Sequence, residues 1–413
     1  MVTPKVCIFT ETYYPVIGGG ETQARLLAEG LVANGFPVII LTRRSDAALA
    51  KVERFGEVTV HRLPPVGRGQ LKKWGLLFSS LPKLIQLRCE YDLIFVSGFR
   101  IVGVTAVLLG KLLGKTVVLK ADSQGEMSGD FFTAGLAKLR LSPSSFLFKL
   151  FVRGRNAILK RAAAFAAITA ETAVEMADAG IPPSAIHMIP NSVDTDRFFP
   201  VDTQQKMVLR QKLSLLPDGK FVIYTGRLVS YKGLPLLLKV WNDLRRKHEQ
   251  AYLLLVGTGG LDIHNCEAEL KAYVQTNKLT ERVFFTGSVQ NVEEYVQASD
   301  IFVLPTEDDA FPSSLVEGMA CGLTAVTTPV GAIKTIITHQ QNGIMVRPGD
   351  FRQLYDALDL LLTDDALAAR LGQAGWQTVQ NCYAAEIVNQ QYIRLFHQVA
   401  RPLDKNFRQL EAQ

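Results

Sequence analysis

The chain has 413 residues, 48% of them apolar and 20% charged. That is a globular composition, long enough for two cores without a disulfide or metal staple, and it excludes a disordered, collagen-like or coiled-coil chain. The formal net charge of +6 is uneven: residues 1–200 hold 24 basic and 16 acidic side chains, the remainder 21 and 23, so the first half is the one expected to meet a polyanion or a membrane surface.

In chain order, short apolar runs alternate with helix-period stretches. Strands are predicted at Val6–Thr10, Val38–Thr42, Val58–Arg62, Leu93–Ser97, Val117–Lys120, Phe165–Ile168 and Ile186–Ile189, with helices at 21–34, 101–113, 146–162 and 171–179. Residues 190–220, rich in Pro, Asp, Asn and Thr, read as an interdomain connection. The rhythm then resumes with strands at Val222–Thr225, Leu253–Val256, Val283–Phe285, Ile301–Leu304, Ala325–Thr327 and Gly343–Val346. Helices are predicted near 233–248, 265–277, 291–298, 314–321 and 351–363. Apolar runs between turn signals suit strands buried on both faces, and the alternation predicts an α/β fold of two doubly wound parallel-sheet domains. Ligands are expected beyond the carboxyl ends of the strands, in a cleft between the domains.

The five cysteines form no Cys-x-x-Cys pair, which points to mostly buried free thiols in a reducing compartment. The N-terminus lacks the apolar stretch of a signal peptide, and the longest apolar run, 101–114, is short and interrupted by Lys111. A cytoplasmic protein is expected, free or held at the inner membrane surface.

Three constellations can carry chemistry. The first, IGGGETQARLLAEGL at 17–31, is a glycine cluster opening a helix. It is either a strand-to-helix turn or a place where Gly19, Gly20 and the helix N-terminus receive an anion. A nicotinamide-dinucleotide site is excluded, because strand two ends in Arg43-Arg44 with no carboxylate. The second, TGRLVSYKG at 225–233, sets Arg227 and Lys232 at a strand's carboxyl end, where two cations can neutralise a diphosphate without a metal. The third, LPTEDDAFPSSLVEGMACG at 304–322, places Asp309 eight residues before Glu317, a carboxylate on an otherwise apolar helix that suits ribose hydroxyls. Ser313 and Ser314 at that helix start can donate to a phosphate. The VGTGG turn with Gly257 is a weaker candidate for nucleotide contact, equally an ordinary tight turn. Asp194-Thr-Asp196 has the spacing of a metal-binding Asp-x-Asp but reads as turn chemistry, and the six histidines show no metal spacing, so no metal site is expected.

Taken in order, YYPVIGGGETQARLLAEGLVANG, MIPNSVDTDRFFP, GRLVSYKG, EDDAFPSSLVEGMACG and NGIMVRPGD resemble glycosyltransferase family 4, retaining enzymes with the GT-B fold of two Rossmann-like domains facing a central cleft. The resemblance covers nearly the whole chain. It implies an acceptor-side domain at 1–195, a nucleotide-sugar domain at 196–385 and a helical segment at 386–413 crossing back to the first. It implies a hexose-type sugar moved from a UDP-, GDP- or ADP-sugar to a glycan or lipid-linked acceptor, with no cofactor or metal. Arg227 and Lys232 would hold the diphosphate, Glu317 the ribose, and Asp309 would stand near the donor sugar. Backbone N–H groups around Phe311 and Ser313 would meet sugar or phosphate, and Gly19 would approach the diphosphate from the other domain. The chain departs from the pattern at Ser192, Asp309, Pro312, Ala332 and Thr335. Where the family often has a histidine after the fifth strand, it has VVLKADSQGEMSGDFF, with Asp122, Ser123 or Glu126 in that area. These departures keep two other readings in view: an inactive nucleotide-sugar-binding partner subunit and a GT-B nucleotide-sugar epimerase.

Two stretches lack any acid: 58–89, with Arg62, Arg68, Lys72, Lys73, Lys83 and Arg88, and 131–170, with Lys138, Arg140, Lys149, Arg153, Arg155, Lys160 and Arg161. Both mix cations with bulky apolar groups, as segments that bind anionic membranes do. Nucleic acid is not expected as a partner, since no recognised module surrounds them.

Overall fold

The structure is a computed structural model that describes residues 3–16, 18–67, 70–129, 145–260 and 262–400, the side chains of 70–73 apart. Arg68, Lys138, Arg140, the side chains of Lys72 and Lys73, and residues 401–413 lie outside the described residues. The chain divides into two compact units, Met1–Asn191 with Ala385–Gln413, and Ser192–Ala384.

The first unit is built on eight strands: β1 Val6–Thr10, β2 Val38–Arg43, β3 Val52–Phe55, β4 Val58–Leu63, β5 Leu93–Ser97, β6 Thr116–Lys120, β7 Ala164–Ala167 and β8 Ile186–Met188. Their order is β3-β4-β2-β1-β5-β6-β7-β8. All neighbours pair in parallel except β3, which lies antiparallel on β4. The apolar runs are buried on both faces: Cys7 and Phe9 of β1 join one core, Val6 and Ile8 the other. The helix Ala385–Val399 completes the second of these cores through Tyr392 and Phe396, whose rings lie 5.3 and 5.6 Å from Phe95.

The second unit holds β9 Lys220–Thr225, β10 Ala251–Val256, β11 Val283–Gly287, β12 Ile301–Leu304, β13 Thr324–Thr327 and β14 Ile344–Met345, ordered β11-β10-β9-β12-β13-β14 and wholly parallel. Each sheet therefore grows outward in both directions from its first strand. The switch points lie between β1 and β5, and between β9 and β12, where doubly wound folds open a crevice for ligands.

Three expectations need correction. The edge strand β3 and the helix Gln70–Gln86 are additional elements. The connection at 190–220 contains the helix Thr203–Lys212, which starts on an Asp202–Gln205 capping box. That helix docks by charge: Arg210 meets Asp300 at 2.7 Å and the Ala298 carbonyl at 2.9 Å, and Lys206 meets Asp300 at 2.9 Å. The basic stretches are also less superficial than expected, since Arg62 is buried against Glu53 and Arg155 is buried with its guanidinium on the Arg100 carbonyl. None of the five cysteines is in a disulfide; Cys7, Cys266 and Cys321 are buried, Cys89 and Cys382 exposed.

Because Phe396 is wholly buried, Phe396→Ala is expected to destabilise the first unit by about 3–5 kcal/mol in urea unfolding. A loss below about 1 kcal/mol would show that the last helix is not part of that core.

Candidate functional site

At the switch point of the second unit, the turn after β9 and the turn after β12 face each other. Arg227 and Lys232 come from the first turn, with Lys232 closing a one-turn 3₁₀ segment before the helix Leu234–Leu244. Lys232 Nζ lies 2.6 Å from Asp309 Oδ2, donates to the Asp308 carbonyl at 3.2 Å and sits 5.3 Å from the centre of the Tyr231 ring. Both ends of this ion pair are largely shielded from water. Arg227 is more exposed. It pairs with Asp262, a residue the sequence does not single out, and donates to the Tyr231 hydroxyl at 2.8 Å.

The Asp309 turn is held in place from several sides. The Glu307 amide donates to the Tyr231 carbonyl at 2.8 Å, and the Ala332 amide donates to the Ala310 carbonyl at 2.9 Å. Gly331 has φ +48°, and a Cβ there would overlap the Asp309 carbonyl. Gly331 thus has a backbone role in this turn. The Thr335 hydroxyl donates to the Ala332 carbonyl at 2.8 Å and bonds Tyr383.

Glu317 projects from the helix Ser313–Ala320, whose Leu315, Val316 and Met319 are buried. Loss of water raises its carboxyl to about 7; Arg197 opposes the shift and Glu293 adds to it. Ser313 and Ser314 occupy the first helical turn, where amides have no intrahelical acceptor. Phe311 precedes them with its ring buried 6.0 Å from Tyr383. Gly257 follows β10; its amide donates to the Gly287 carbonyl at 3.0 Å and a Cβ there would overlap the Gly226 carbonyl, so this glycine serves a close approach of two backbone turns. Asp194 accepts from the amides of Asp196 and Arg197 at 3.1 and 3.2 Å, which is turn chemistry.

In the first unit, Gly19 and Gly20 open the helix Gly19–Ala33. A Cβ on Gly20 would stand 3.2 Å from Asp122 Oδ2, so this glycine lets the helix start approach a carboxylate at the end of β6. Asp122 is fixed by the buried Lys120 at 2.6 Å and by the Ser97 hydroxyl at 3.1 Å, and its amide donates to Glu126 at 2.9 Å. Glu126 is buried beside Arg100 at 3.2 Å; burial raises its carboxyl to about 7, with Arg100 the chief opposing charge.

Two such sheets define a GT-B protein. The fold matches sucrose-phosphate synthase from Thermosynechococcus elongatus with a TM-score of 0.78 over 96% of this chain and 99% of that one, at 22% identity. It matches Anabaena Alr3699/HepE, solved with UDP and glucose, with a TM-score of 0.74 over 95% and 99%, at 18% identity. In sequence, residues 17–197 match Glycosyltransferase Family 4 and residues 205–378 match Glycosyl transferases group 1. Together the two matches make the chain a glycosyltransferase of the family 4 type. It is 24% identical to the N-acetyl-alpha-D-glucosaminyl L-malate synthase of Bacillus anthracis over 96% of this chain and 97% of the relative. It is 29% identical to the mannosylfructose-phosphate synthase of Agrobacterium fabrum over 53% of this chain; that match spans about half of the relative's length, 49%.

Glu126 and Glu317 both hold protons in the folded chain that the unfolded chain, with an ordinary value of 4.5, releases. Their contribution to stability is therefore full at low pH and is lost as pH rises towards 7. Glu317→Gln is expected to flatten part of the fall in Tm between about pH 5 and about pH 8. Parallel curves for the two proteins would contradict the raised carboxyl.

Proposed function

We propose that this chain transfers a hexose-type sugar from a nucleotide diphosphate sugar to a glycan or lipid-linked acceptor with retention of configuration, independently of a metal ion. The observation that carries this reading is the pairing of Lys232 with Asp309 at 2.6 Å, in the turns that follow two adjacent strands of one sheet, with Arg227 in the first turn and Glu317 on the helix after the second. In this reading Lys232 and Arg227 exchange their carboxylate partners for the diphosphate. The bond from the anomeric carbon to the diphosphate oxygen breaks, and charge grows on that oxygen where two cations and the Ser313–Ser314 helix start stabilise it. The acceptor hydroxyl attacks from the same face, and its proton passes to the leaving phosphate. Asp309, freed from Lys232, accepts from a sugar hydroxyl, while Glu317, ionised as ribose hydroxyls replace lost water, holds the nucleoside.

The donor assignment is supported by the UDP and UDP-glucose held by the HepE structures of the same fold. A role in cell-surface glycan or glycolipid synthesis is supported by relatives such as a Rhizobium meliloti lipopolysaccharide core mannosyltransferase. A peripheral place at the inner membrane is supported by the exposed Phe78, Phe146 and Leu147 among cations; no helix of the described residues is long and apolar enough to cross a membrane.

Incubation with UDP-, GDP- and ADP-sugars plus membrane extract tests the reading. One donor is expected to support transfer, with Lys232→Ala and Glu317→Ala each lowering kcat/KM by about 100-fold or more. Nucleotide binding without turnover would instead indicate a partner subunit, and sugar isomerisation without acceptor an epimerase.

A further inference from the structure

We propose that an apolar groove on the first unit holds the hydrocarbon tail of a lipid-linked acceptor, so that the chain glycosylates a lipid carrier rather than a free glycan. The inference rests on the transferase reading above and selects between its two acceptor classes.

The groove, of about 500 Å³, lies among the helices Gln70–Gln86, Val102–Leu112 and Phe146–Leu159. Its volume is in the range of about 300–1,000 Å³ that holds small ligands. Its walls are nearly all hydrocarbon, with Trp74, Leu77, Val104, Leu147, Leu150 and Phe151 among the lining side chains. On the same three helices Phe146 is 76% exposed, Leu112 74% and Phe78 73%. A soluble protein seldom leaves so many large apolar groups together in water without an apolar partner. Lys149 and Arg153 are exposed on the helix that forms one wall, and no acid occurs between residues 131 and 170, so the rim complements an anionic lipid surface.

The other end of the groove selects the acceptor as its occupant. Arg100 lines it and also reaches Glu126 at 3.2 Å and the Ser123 hydroxyl. Glu126 accepts the Asp122 amide, and Asp122 stands at the carboxyl end of β6 against Gly20. Two hydrogen bonds thus join an apolar groove to the polar crevice of the sheet. A free glycan, polar throughout, gains nothing from such walls. A ligand with a polar head and a hydrocarbon tail fits both, its head at Asp122 and its tail along the groove.

Gly154 gives a clean test, because it lines the groove and a Cβ there meets nothing within 4 Å. Gly154→Leu grows into the groove, and Gly154→Ala controls for the helix. Three readouts are compared: uptake of cis-parinaric acid, transfer of label from the nucleotide sugar into butanol-extractable and water-soluble products of membrane extract, and sedimentation with phosphatidylglycerol vesicles. The expected result is that Gly154→Leu loses about tenfold or more in probe affinity and in butanol-extractable product, while Gly154→Ala and vesicle binding match wild type. Unchanged probe affinity in Gly154→Leu would overturn the proposal. So would lost vesicle binding with product formation intact, which would make the occupant a bulk membrane lipid. Wild-type transfer into water-soluble product alone would overturn this inference and leave the transferase reading standing. No transfer by any of the three proteins would overturn the transferase reading itself, and this inference with it.

Discussion

The proposed chemistry of the second unit depends on the ion pair of Lys232 with Asp309. A shielded cation and a shielded carboxylate each cost free energy to desolvate, and their attraction offsets that cost only while the geometry holds. Here it holds because the two turns come from β9 and β12, adjacent strands on either side of the switch point. The Glu307 and Ala332 amides pin the acidic turn, and Gly331 lets the neighbouring loop close on it. In the proposed reaction a ligand with its own negative charge takes the cation and leaves the carboxylate to accept a hydroxyl.

The first unit repeats the device. Lys120 and Asp122 lie 2.6 Å apart at the end of β6, near the switch point of their own sheet, with Ser97 and Glu126 fixing the carboxylate. The lysine is buried, so Asp122 carries a compensated negative charge rather than a free one. In both units the sheet supplies a rigid frame and the strand ends supply charges already oriented, the arrangement that lowers reorganisation during reaction.

Much of this was legible in the sequence, because the strands of a parallel sheet are continuous apolar runs and the turns after them carry glycines and charges at fixed offsets. Val222–Thr225 and Ile301–Leu304 are such runs; Arg227 and Lys232 lie in the turn after the first, Asp309 and Glu317 in the turn and helix after the second. What escaped has physical reasons. The strand β3 is a short edge strand, VERF, half-wet and without an apolar run. The helix Thr203–Lys212 buries Arg210 and docks on Asp300 by ion pairs, so its sequence shows no apolar period and reads as a linker. Asp262, which holds Arg227, sits 35 residues away in a loop whose placement depends on the whole fold. The depth of Arg62 and Arg155 was likewise hidden, since a charge in a sequence does not say whether its partner lies beneath the surface.

In the proposed reaction Asp309 holds Lys232 until a diphosphate takes it. Calorimetric titration of UDP, GDP and ADP into wild type, Asp309→Asn and Lys232→Gln tests this most directly. The nucleotide that binds wild type should bind Asp309→Asn more tightly, since the competing carboxylate is gone, and Lys232→Gln more weakly. Affinity that is unchanged or weaker in Asp309→Asn would contradict the exchange.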